Sequence, residues 1–149
     1  MTANAAWEAL LAAHSTLMKD FAARDIWEDI SMKEYDVLYT LSKCPADGVS
    51  LTELNRHVLL SQPAMSRLVD RLAGRGLVAR AADPADGRGV RLSLTKAGRA
   101  LQRRIGRRHA RDVAGAIGGA LTFEEIRQLE AISRKLAGVA GNHHRQDWT

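Results

Sequence analysis

The sequence predicts a mainly helical domain that carries one small β-hairpin. Apolar residues recur at steps of three and four over most of the 149 residues, and three capping-box motifs mark helix starts. The segment 83-DPADGRGVRLSLT-95 combines turn-forming Pro, Gly and Asp with a strict alternation of apolar and polar residues. Such a segment is typical of the tip and return strand of a hairpin.

Six helices are expected from local signals. The first is an amphipathic helix between Trp7 and Phe21. Three others begin at capping boxes, in which a Ser or Thr and a Glu three residues later bond each other's backbone amides. The boxes are Ser31 to Glu34, Ser50 to Glu53 and Thr122 to Glu125. The six helices are predicted over residues 7–21, 31–44, 50–58, 61–74, 96–117 and 122–136.

The middle of the chain predicts a helix-turn-helix followed directly by the hairpin. A short helix and a tight turn over Leu59 and Leu60 lead to a second helix, which Ser61 caps and Pro63 joins in its first turn. This order predicts a winged helix-turn-helix, a module whose second helix enters the major groove of DNA. The predicted fold class is therefore mainly α, a winged helix-turn-helix with a small β-hairpin wing, plus terminal helices.

The positive charge is concentrated in the same part of the chain. Residues 56–111 hold 14 of the 22 Lys and Arg but only three of the 17 acidic residues, a net charge of +11 against −6 for the remainder. A solvated arginine face is the simpler explanation of a charge run. The removal of acidic residues from the same segment favours a polyanionic partner.

The exposed face of the second helix carries groups suited to base and phosphate contacts. Small side chains let the helix approach the bases, glutamine can bond adenine, and arginine can bond guanine or phosphate. The alternative is a surface helix with a mixed polar face. The candidate residues are Gln62, Pro63, Ala64, Ser66, Arg67 and Arg71.

The hairpin tip presents Arg88 beside that helix. A tip in this place reaches the neighbouring minor groove, where narrow A·T-rich segments attract arginine. Asp86 could hold the guanidinium through a bidentate pair. The alternatives are that Arg88 is an exposed turn residue and that Asp86 serves turn chemistry alone.

From about Ser31 to Leu101 the sequence resembles the MarR family of bacterial regulators. The resemblance rests on LTELNRHVLLSQPAMSRLVDRLAGRGLVAR followed by DPADGRGVRLSLTKAG. It implies that Arg88 is the minor-groove arginine and Asp86 its partner. Gly87 departs from the family pattern, which has a basic residue there, and Arg91 could supply the missing phosphate contact. The residues that the resemblance places toward the groove are Ser61, Gln62, Pro63, Ala64, Ser66 and Arg67.

The family resemblance also implies an obligate homodimer joined through the first and last helices. It divides a single domain, 1–149, into a DNA-binding module over 31–95 and dimerisation helices over 1–30 and 96–149. Apolar stripes at both chain ends fit this interpretation, because a lone stripe needs a partner surface. They could instead pack on each other within one chain. The stripe residues are Trp7, Leu10, Leu17, Phe21, Ile126, Leu129, Ile132 and Leu136.

A further implication of the resemblance is a pocket for a small aromatic or anionic effector, where the dimerisation helices meet the DNA-binding module. The candidates are aromatic, polar or pliable residues, and each could equally be a packing residue with one polar end. An effector would act by favouring a dimer whose recognition helices are wrongly spaced. The candidate residues are His14, Met18, Arg24, Trp27, Tyr35 and Tyr39.

Other classes of protein are disfavoured. No run approaches the roughly 18 apolar residues of a membrane span, and the N-terminus lacks the basic region of a secretory signal. The single cysteine, Cys44, fits a reducing cytoplasm and is interpreted as a small filler. His143 and His144 lack a third ligand, so we expect no metal or other cofactor. No catalytic motif occurs, and an enzyme is not expected.

The sequence therefore predicts a cytoplasmic, sequence-specific transcriptional regulator that binds double-stranded DNA. We expect a repressor that binds a palindromic operator as a homodimer and is released by a small-molecule effector. The alternative is a non-specific architectural DNA-binding protein that uses the same basic segment only for phosphates.

Overall fold

The computed structural model describes residues 2–58 and 60–140, with the side chains of residues 139 and 140 excepted, and contains six helices and three short strands there. The mainly helical fold class is confirmed. None of these helices combines the length and apolar character needed to cross a membrane. The helices are α1 (Ala3–Ala22), α2 (Met32–Lys43), α3 (Leu51–His57), α4 (Gln62–Gly74), α5 (Lys96–Ala120) and α6 (Phe123–Ala140). The strands are β1 (Val49–Ser50), β2 (Val78–Ala82) and β3 (Val90–Leu94).

The chain forms two compact units. One spans residues 22–108 and contains α2, α3, α4, all three strands and the first half of α5. The other, the terminal unit, consists of residues 1–21 and 109–149, of which 2–21 and 109–140 are described. The functional division into residues 31–95 and two flanking dimerisation segments stays a prediction.

All three capping boxes form as predicted. In each, the Glu side chain accepts a hydrogen bond from the N-cap amide at 2.7–2.8 Å, and the Ser or Thr hydroxyl accepts one from the Glu amide at 3.1–3.3 Å. These bonds satisfy amide donors that a helix start leaves open. The sequence therefore sets the starts of α2, α3 and α6 locally.

Helix α4 begins and packs as its sequence predicts. The Ser61 hydroxyl accepts a hydrogen bond from the Ala64 amide at 3.3 Å, and Pro63 lies in the first turn. The turn before it is described at Leu60, whereas Leu59 lies outside the described residues. One face of α4 is buried in the core of the 22–108 unit, which fixes the opposite face toward the outside. The buried residues are Met65, Leu68, Val69 and Leu72.

The predicted hairpin is part of a three-stranded antiparallel sheet of order β1-β3-β2. Strand β2 pairs with β3 from Val78 opposite Leu94 to Ala82 opposite Val90, and the short strand β1 adds to the free edge of β3. We call β2, β3 and the connecting residues 83–89 the wing. Gly48, with φ +90°, precedes β1, and a Cβ there would lie 2.6 Å from the Leu92 carbonyl oxygen. Only glycine fits this approach.

Helix α5 starts immediately at the base of the wing. The Thr95 hydroxyl accepts a hydrogen bond from the Gly98 amide at 3.0 Å and donates one to the Gly76 carbonyl at 2.6 Å. Thr95 therefore caps α5. The predicted end of this helix at 117 was wrong, because α5 continues through Gly118 and Gly119 to Ala120. Glycine costs only about 1 kcal/mol in a helix interior, which neighbouring turns can offset.

The terminal unit leaves most of its apolar residues exposed. Phe21 is an exception, because it is buried and its ring packs edge-on against His109 with centroids 5.2 Å apart. The prediction that Phe21 needs a partner surface was therefore wrong. Leu17 and Ile126 are half-buried. The exposed residues are Trp7, Leu10, Leu11, Phe123, Leu129, Ile132 and Leu136.

Ion pairs hold the loop between α1 and α2 to the rest of the 22–108 unit. Glu28, which has φ +58°, accepts hydrogen bonds from Arg104 at 2.8 and 2.9 Å and from Arg108 at 3.4 Å. The hydrogen bond from Arg104 lowers the pKa of the Glu28 carboxyl, while partial desolvation opposes this effect. Asp29 pairs with Arg75, and that hydrogen bond lowers the pKa of Asp29. These contacts hold a backbone conformation that is uncommon outside glycine.

Acid should weaken this loop attachment. Because the pKa of Glu28 is lower in the folded chain, its contribution to stability is complete above the ordinary glutamate pKa of about 4.3 and is lost as the pH falls through the folded value. Glu28→Gln should therefore lower the thermal midpoint at neutral pH and reduce its fall between about pH 5 and pH 3. Asp25→Asn, at an exposed position in the same loop, is the control. It should leave the thermal midpoint at neutral pH and its fall in acid unchanged. Equal profiles for Glu28→Gln and wild type would contradict the prediction.

Candidate nucleic-acid interface

The outward face of α4 begins with small and polar residues. Ser61, Gln62 and Pro63 are exposed, whereas Ala64 and Ser66 are half-buried. The Ser61 hydroxyl oxygen accepts the capping bond, which leaves its O–H as a donor. The first turn therefore offers a hydroxyl, an amide side chain and close access to the helix backbone.

The two arginines of α4 differ in their surroundings. Arg67 is exposed, and no hydrogen bond or ion pair joins its side chain to another residue of the described chain. Arg71 donates from Nε to the Glu34 carboxylate at 3.1 Å, although 61% of its side chain stays exposed. Arg67 is therefore available to a ligand in full, and Arg71 only through its terminal nitrogens.

Two ion pairs of α4, made with Glu34 and through Asp70, were missed by the sequence analysis. Glu34 is buried, and its carboxylate both caps α2 at Ser31 and accepts from Arg71. Asp70, on α4, accepts a hydrogen bond from Arg80 on β2. These two ion pairs connect α4 to α2 on one side and to the wing on the other. They fix the orientation of α4 within the 22–108 unit.

The wing tip is organised by two aspartates that bond backbone amides. Asp83 accepts from the Ala85 amide at 2.9 Å, and Asp86 accepts from the Arg88 amide at 3.1 Å. The pair between the Asp86 carboxylate and the Arg88 guanidinium is not formed, and Asp86 follows the alternative interpretation, in which its carboxylate orders the turn. The Arg88 side chain is exposed and has no hydrogen bond or ion pair within the described part of the chain.

Arg91 is largely engaged within the chain, and its phosphate contact stays a prediction. Only 23% of its side chain is exposed, and Nε donates to the Asp47 carbonyl at 3.1 Å. It also bonds the Gly48 carbonyl and pairs with the carboxylates of Asp47 at 3.5 Å and Asp83 at 3.8 Å. Arg91 therefore holds the wing to the loop before β1.

The predicted effector residues fall into two groups. Trp27, Tyr35 and Tyr39 form an aromatic row, with ring centroids 5.4 Å apart for the first pair and 6.2 Å for the second. Tyr39 is exposed, and the ammonium of Lys43 lies 5.2 Å from its ring centroid. The sequence analysis missed Lys43. Burial raises the pKa of the Tyr35 hydroxyl.

The remaining effector candidates are exposed or half-buried and lie in different units. Arg24 is exposed in the 22–108 unit, whereas His14 is exposed and Met18 half-buried on α1 of the terminal unit. A cavity of about 210 Å³ lies elsewhere, between α3, α4 and the wing. Its lining contains none of the six predicted effector residues. The lining residues are Leu51, Ser66, Val69, Arg80, Val90 and Leu92.

Redox and metal chemistry find little support in the described residues. The Cys44 thiol donates to the Thr40 carbonyl at 3.2 Å, and burial raises the pKa of the thiol, which disfavours the reactive thiolate. Within residues 2–58 and 60–140, no three His, Cys, Asp or Glu side chains are grouped to hold a metal ion. His143 and His144 lie outside the described residues.

Comparison with known proteins identifies the family. A family model described as MarR family matches residues 28–89. The multiple antibiotic resistance protein MarR of Salmonella typhimurium is 30% identical over 108 residues, which cover 72% of this chain and 74% of that protein. The chain belongs to the MarR family. The HTH-type transcriptional repressor Rv2887 of Mycobacterium tuberculosis is 37% identical over 75 residues, half of this chain and 52% of the repressor.

Solved MarR-family structures share the fold. The regulator Sco3205 of Streptomyces coelicolor, determined in complex with DNA, is 29% identical with a TM-score of 0.76, over 92% of this chain and 88% of that one. The regulator PcaV of the same organism, determined in complex with its natural ligand, is 28% identical with a TM-score of 0.68, over 94% of each chain. The winged helix-turn-helix prediction is confirmed. The chain is a MarR-family transcriptional regulator and not an enzyme.

Proposed function

We propose that this MarR-family chain is a sequence-specific repressor that binds duplex DNA through α4 and the wing tip. The observation that carries the proposal is the exposure of two arginines, Arg67 and Arg88, on elements that Asp70 and Arg80 connect. Both guanidiniums are available to an anionic partner. Arg67 lies on a helix of major-groove type, and Arg88 lies on a projecting loop suited to the minor groove.

Sequence specificity, as opposed to architectural binding, is supported by the first turn of α4. Ser61, Gln62 and Ala64 present hydrogen-bonding groups and little bulk there, whereas a phosphate-only surface needs cations alone. The relative Rv2887 is named a repressor, and Sco3205 was determined in complex with DNA. A repressor of this kind blocks transcription by occupying its operator.

Salt and competitor DNA test the specificity. The chain should prefer its selected duplex over random duplex by at least about a thousandfold at physiological salt. Arg67→Ala should reduce that preference at one base pair if the guanidinium bonds a guanine, and should weaken all duplexes equally if it contacts only phosphate. Equal binding of selected and random duplexes by the wild-type chain would favour the architectural alternative and contradict the proposal.

We further propose that the functional form is a homodimer joined through α1 and α6. Apolar side chains such as Trp7, Ile132 and Leu136 are exposed in the single chain, and burying them against a second copy would remove them from water. A twofold dimer would present two α4 helices to half-sites about 10 base pairs apart on a palindrome.

Charges placed on this apolar face should dissociate the dimer. Ile132→Asp with Leu136→Asp should give a monomer in sedimentation experiments, because each substitution buries an unpaired carboxylate in the interface. The monomer should bind a palindromic duplex more weakly by a factor of a hundred or so, as a single half-site remains. Ala131→Asp, also exposed on α6, is the control and should remain dimeric. A wild-type chain that sediments as a monomer would refute this assembly.

Release by a small effector is the third part of the proposal. The aromatic row of Trp27, Tyr35 and Tyr39, with Lys43 beside it, offers stacking surfaces and one cation for an aromatic acid. PcaV, which is similar in sequence and fold, was determined with its natural ligand. Aromatic acids should release the chain from its operator, and Tyr39→Ala should raise the concentration required. Persistent DNA binding throughout such titrations would oppose effector release.

A further inference from the structure

The outer face of the first half of α5 is positively charged and contains no acidic residue. Between residues 96 and 111 the sequence has seven Lys and Arg and no Asp or Glu. Two of the seven, Arg104 and Arg108, pair with Glu28. Four others within the 22–108 unit recur at steps of three or four and form what we call the α5 basic stripe. They are Lys96, Arg99, Arg103 and Arg107.

The α5 basic stripe points away from the core. Gly98, Leu101 and Ile105 form the buried side of the helix, and the stripe residues fall on the opposite side by helical periodicity. Lys96, Arg103 and Arg107 are exposed, and Arg99 is half-buried. No hydrogen bond or ion pair connects these four side chains to any residue of the described chain.

Such an arrangement has a cost that an ordinary solvated face avoids. Like charges four residues apart on a helix repel each other, as Arg99 with Arg103 and Arg103 with Arg107 must do. Helix α6 shows the usual solution, since its exposed positions mix both signs and Arg134 donates to Glu130 at 2.8 Å. The single sign of the stripe indicates a surface built for an external anion.

The stripe is distinct from the groove-contacting surface. Helix α5 begins at the base of the wing, where Thr95 bonds Leu77, whereas Arg88 lies at the tip. The base and the tip of the wing are separated by strands of five residues, about 17 Å of extended chain. The stripe therefore begins at the opposite end of the wing from Arg88.

We propose that the α5 basic stripe is a second, sequence-independent contact for the phosphate backbone of duplex DNA. From Lys96 to Arg107 the helix rises about 16 Å. That length of duplex presents roughly five phosphates on one strand, which is comparable to the four cations of the stripe. The inference rests on the proposed DNA-binding function, because that function brings long duplex DNA to the same protein.

A second copy of this chain is a poor occupant of the stripe. Packing stripe against stripe would bring eight cations together, and the proposed dimer already uses the apolar faces of α1 and α6. Like-charge repulsion therefore disfavours the stripe as an interface between two copies and leaves duplex DNA as the proposed occupant.

The test is the salt dependence of binding to a random-sequence duplex of about 60 base pairs, long enough to reach beyond one binding site. The variant Arg103→Gln with Arg107→Gln removes two phosphate contacts. The slope of log affinity against log salt should become shallower by about 1.8 for each chain bound. Between about 50 and 200 mM salt, the variant should lose roughly twelvefold less affinity than wild type.

Matched variants separate charge placement from net charge. Arg127→Gln with Lys135→Gln removes two exposed cations from α6 and should keep the wild-type slope. Arg103→Lys with Arg107→Lys keeps the charge and should also keep the slope. Circular dichroism should show folded helices for all three. An α5 glutamine variant whose slope equals that of the α6 variant would overturn the proposal.

The outcomes distinguish this inference from the proposed function. If wild type binds no duplex in dilute salt, the DNA-binding function fails and the stripe proposal with it. If wild type binds and Arg88→Ala weakens binding, but the α5 glutamine variant behaves as wild type, the stripe proposal alone fails. Vesicles with and without phosphatidylserine form a second arm. Stripe-dependent binding to the anionic vesicles, with an unchanged duplex slope, would assign the surface to membranes and overturn the DNA assignment.

Discussion

Gly98→Ala should destabilise the chain by about 3 kcal/mol, as overpacking does when backbone must move. A Cβ at this position would overlap the carbonyl oxygen of Leu77 and lie 2.9 Å from its carbonyl carbon. That oxygen also accepts the Thr95 amide at 3.2 Å, so neither atom can move without disturbing the base of the wing. Urea unfolding should show the loss as a lower midpoint with little change in slope.

Gly115→Ala, in the same helix, provides the matched control. No atom lies within 4 Å of a Cβ built at Gly115, so alanine should fit without displacement. It should stabilise the chain by about 0.5–1 kcal/mol, because alanine favours the helix. Two Gly→Ala substitutions in one helix should therefore change the stability of the chain in opposite directions. A Gly98→Ala variant as stable as wild type would show that α5 does not pack closely on the wing base.

Arg88→Ala should weaken operator binding by about 1–3 kcal/mol, roughly 5- to 150-fold. The exposed guanidinium has no hydrogen bond or ion pair in the described chain, so its removal should leave the fold intact. The loss should be largest for operators with A·T-rich flanks, where a narrow minor groove concentrates negative potential. Binding titrations against a set of duplexes that differ only in their flanks measure this dependence.

Substitutions at Asp86 separate two roles for the wing-tip carboxylate. Asp86→Asn keeps an oxygen that can accept from the Arg88 amide, so it should bind DNA nearly as wild type does. Asp86→Ala removes that bond and should weaken binding. Arg127→Ala, on α6, should leave binding unchanged. A loss from Arg88→Ala that is equal on all flanks would contradict minor-groove recognition.

Local chemistry was sufficient to predict most of the fold. The capping boxes at Ser31, Ser50 and Thr122, and the cap at Ser61, involve residues three apart, so their geometry follows from short sequence patterns. The hairpin follows from alternation and turn residues in the same way. The end of α5 was misplaced because the glycine penalty is small relative to the support of neighbouring helix turns.

The contacts that organise the site were harder to predict from the sequence because they join residues that are far apart in it. Glu34 and Arg71 are 37 positions apart, and Arg91 is 44 positions from the Asp47 carbonyl. The family resemblance offered Arg91 as a phosphate contact, and a local pattern on β3 could not foresee the acidic neighbours Asp47 and Asp83 around it. The sequence left two roles open for Asp86, because an aspartate can bond a nearby amide as readily as a nearby guanidinium.

Selection of bound fragments from a random duplex pool tests the central claim most directly. The purified chain should enrich one inverted repeat whose half-sites lie about 10 base pairs apart, with A·T-rich positions beside each half-site. Arg88→Ala should enrich the same half-sites without the A·T-rich positions. A pool that emerges from the wild-type selection with its starting composition would contradict recognition of DNA by α4 and the wing.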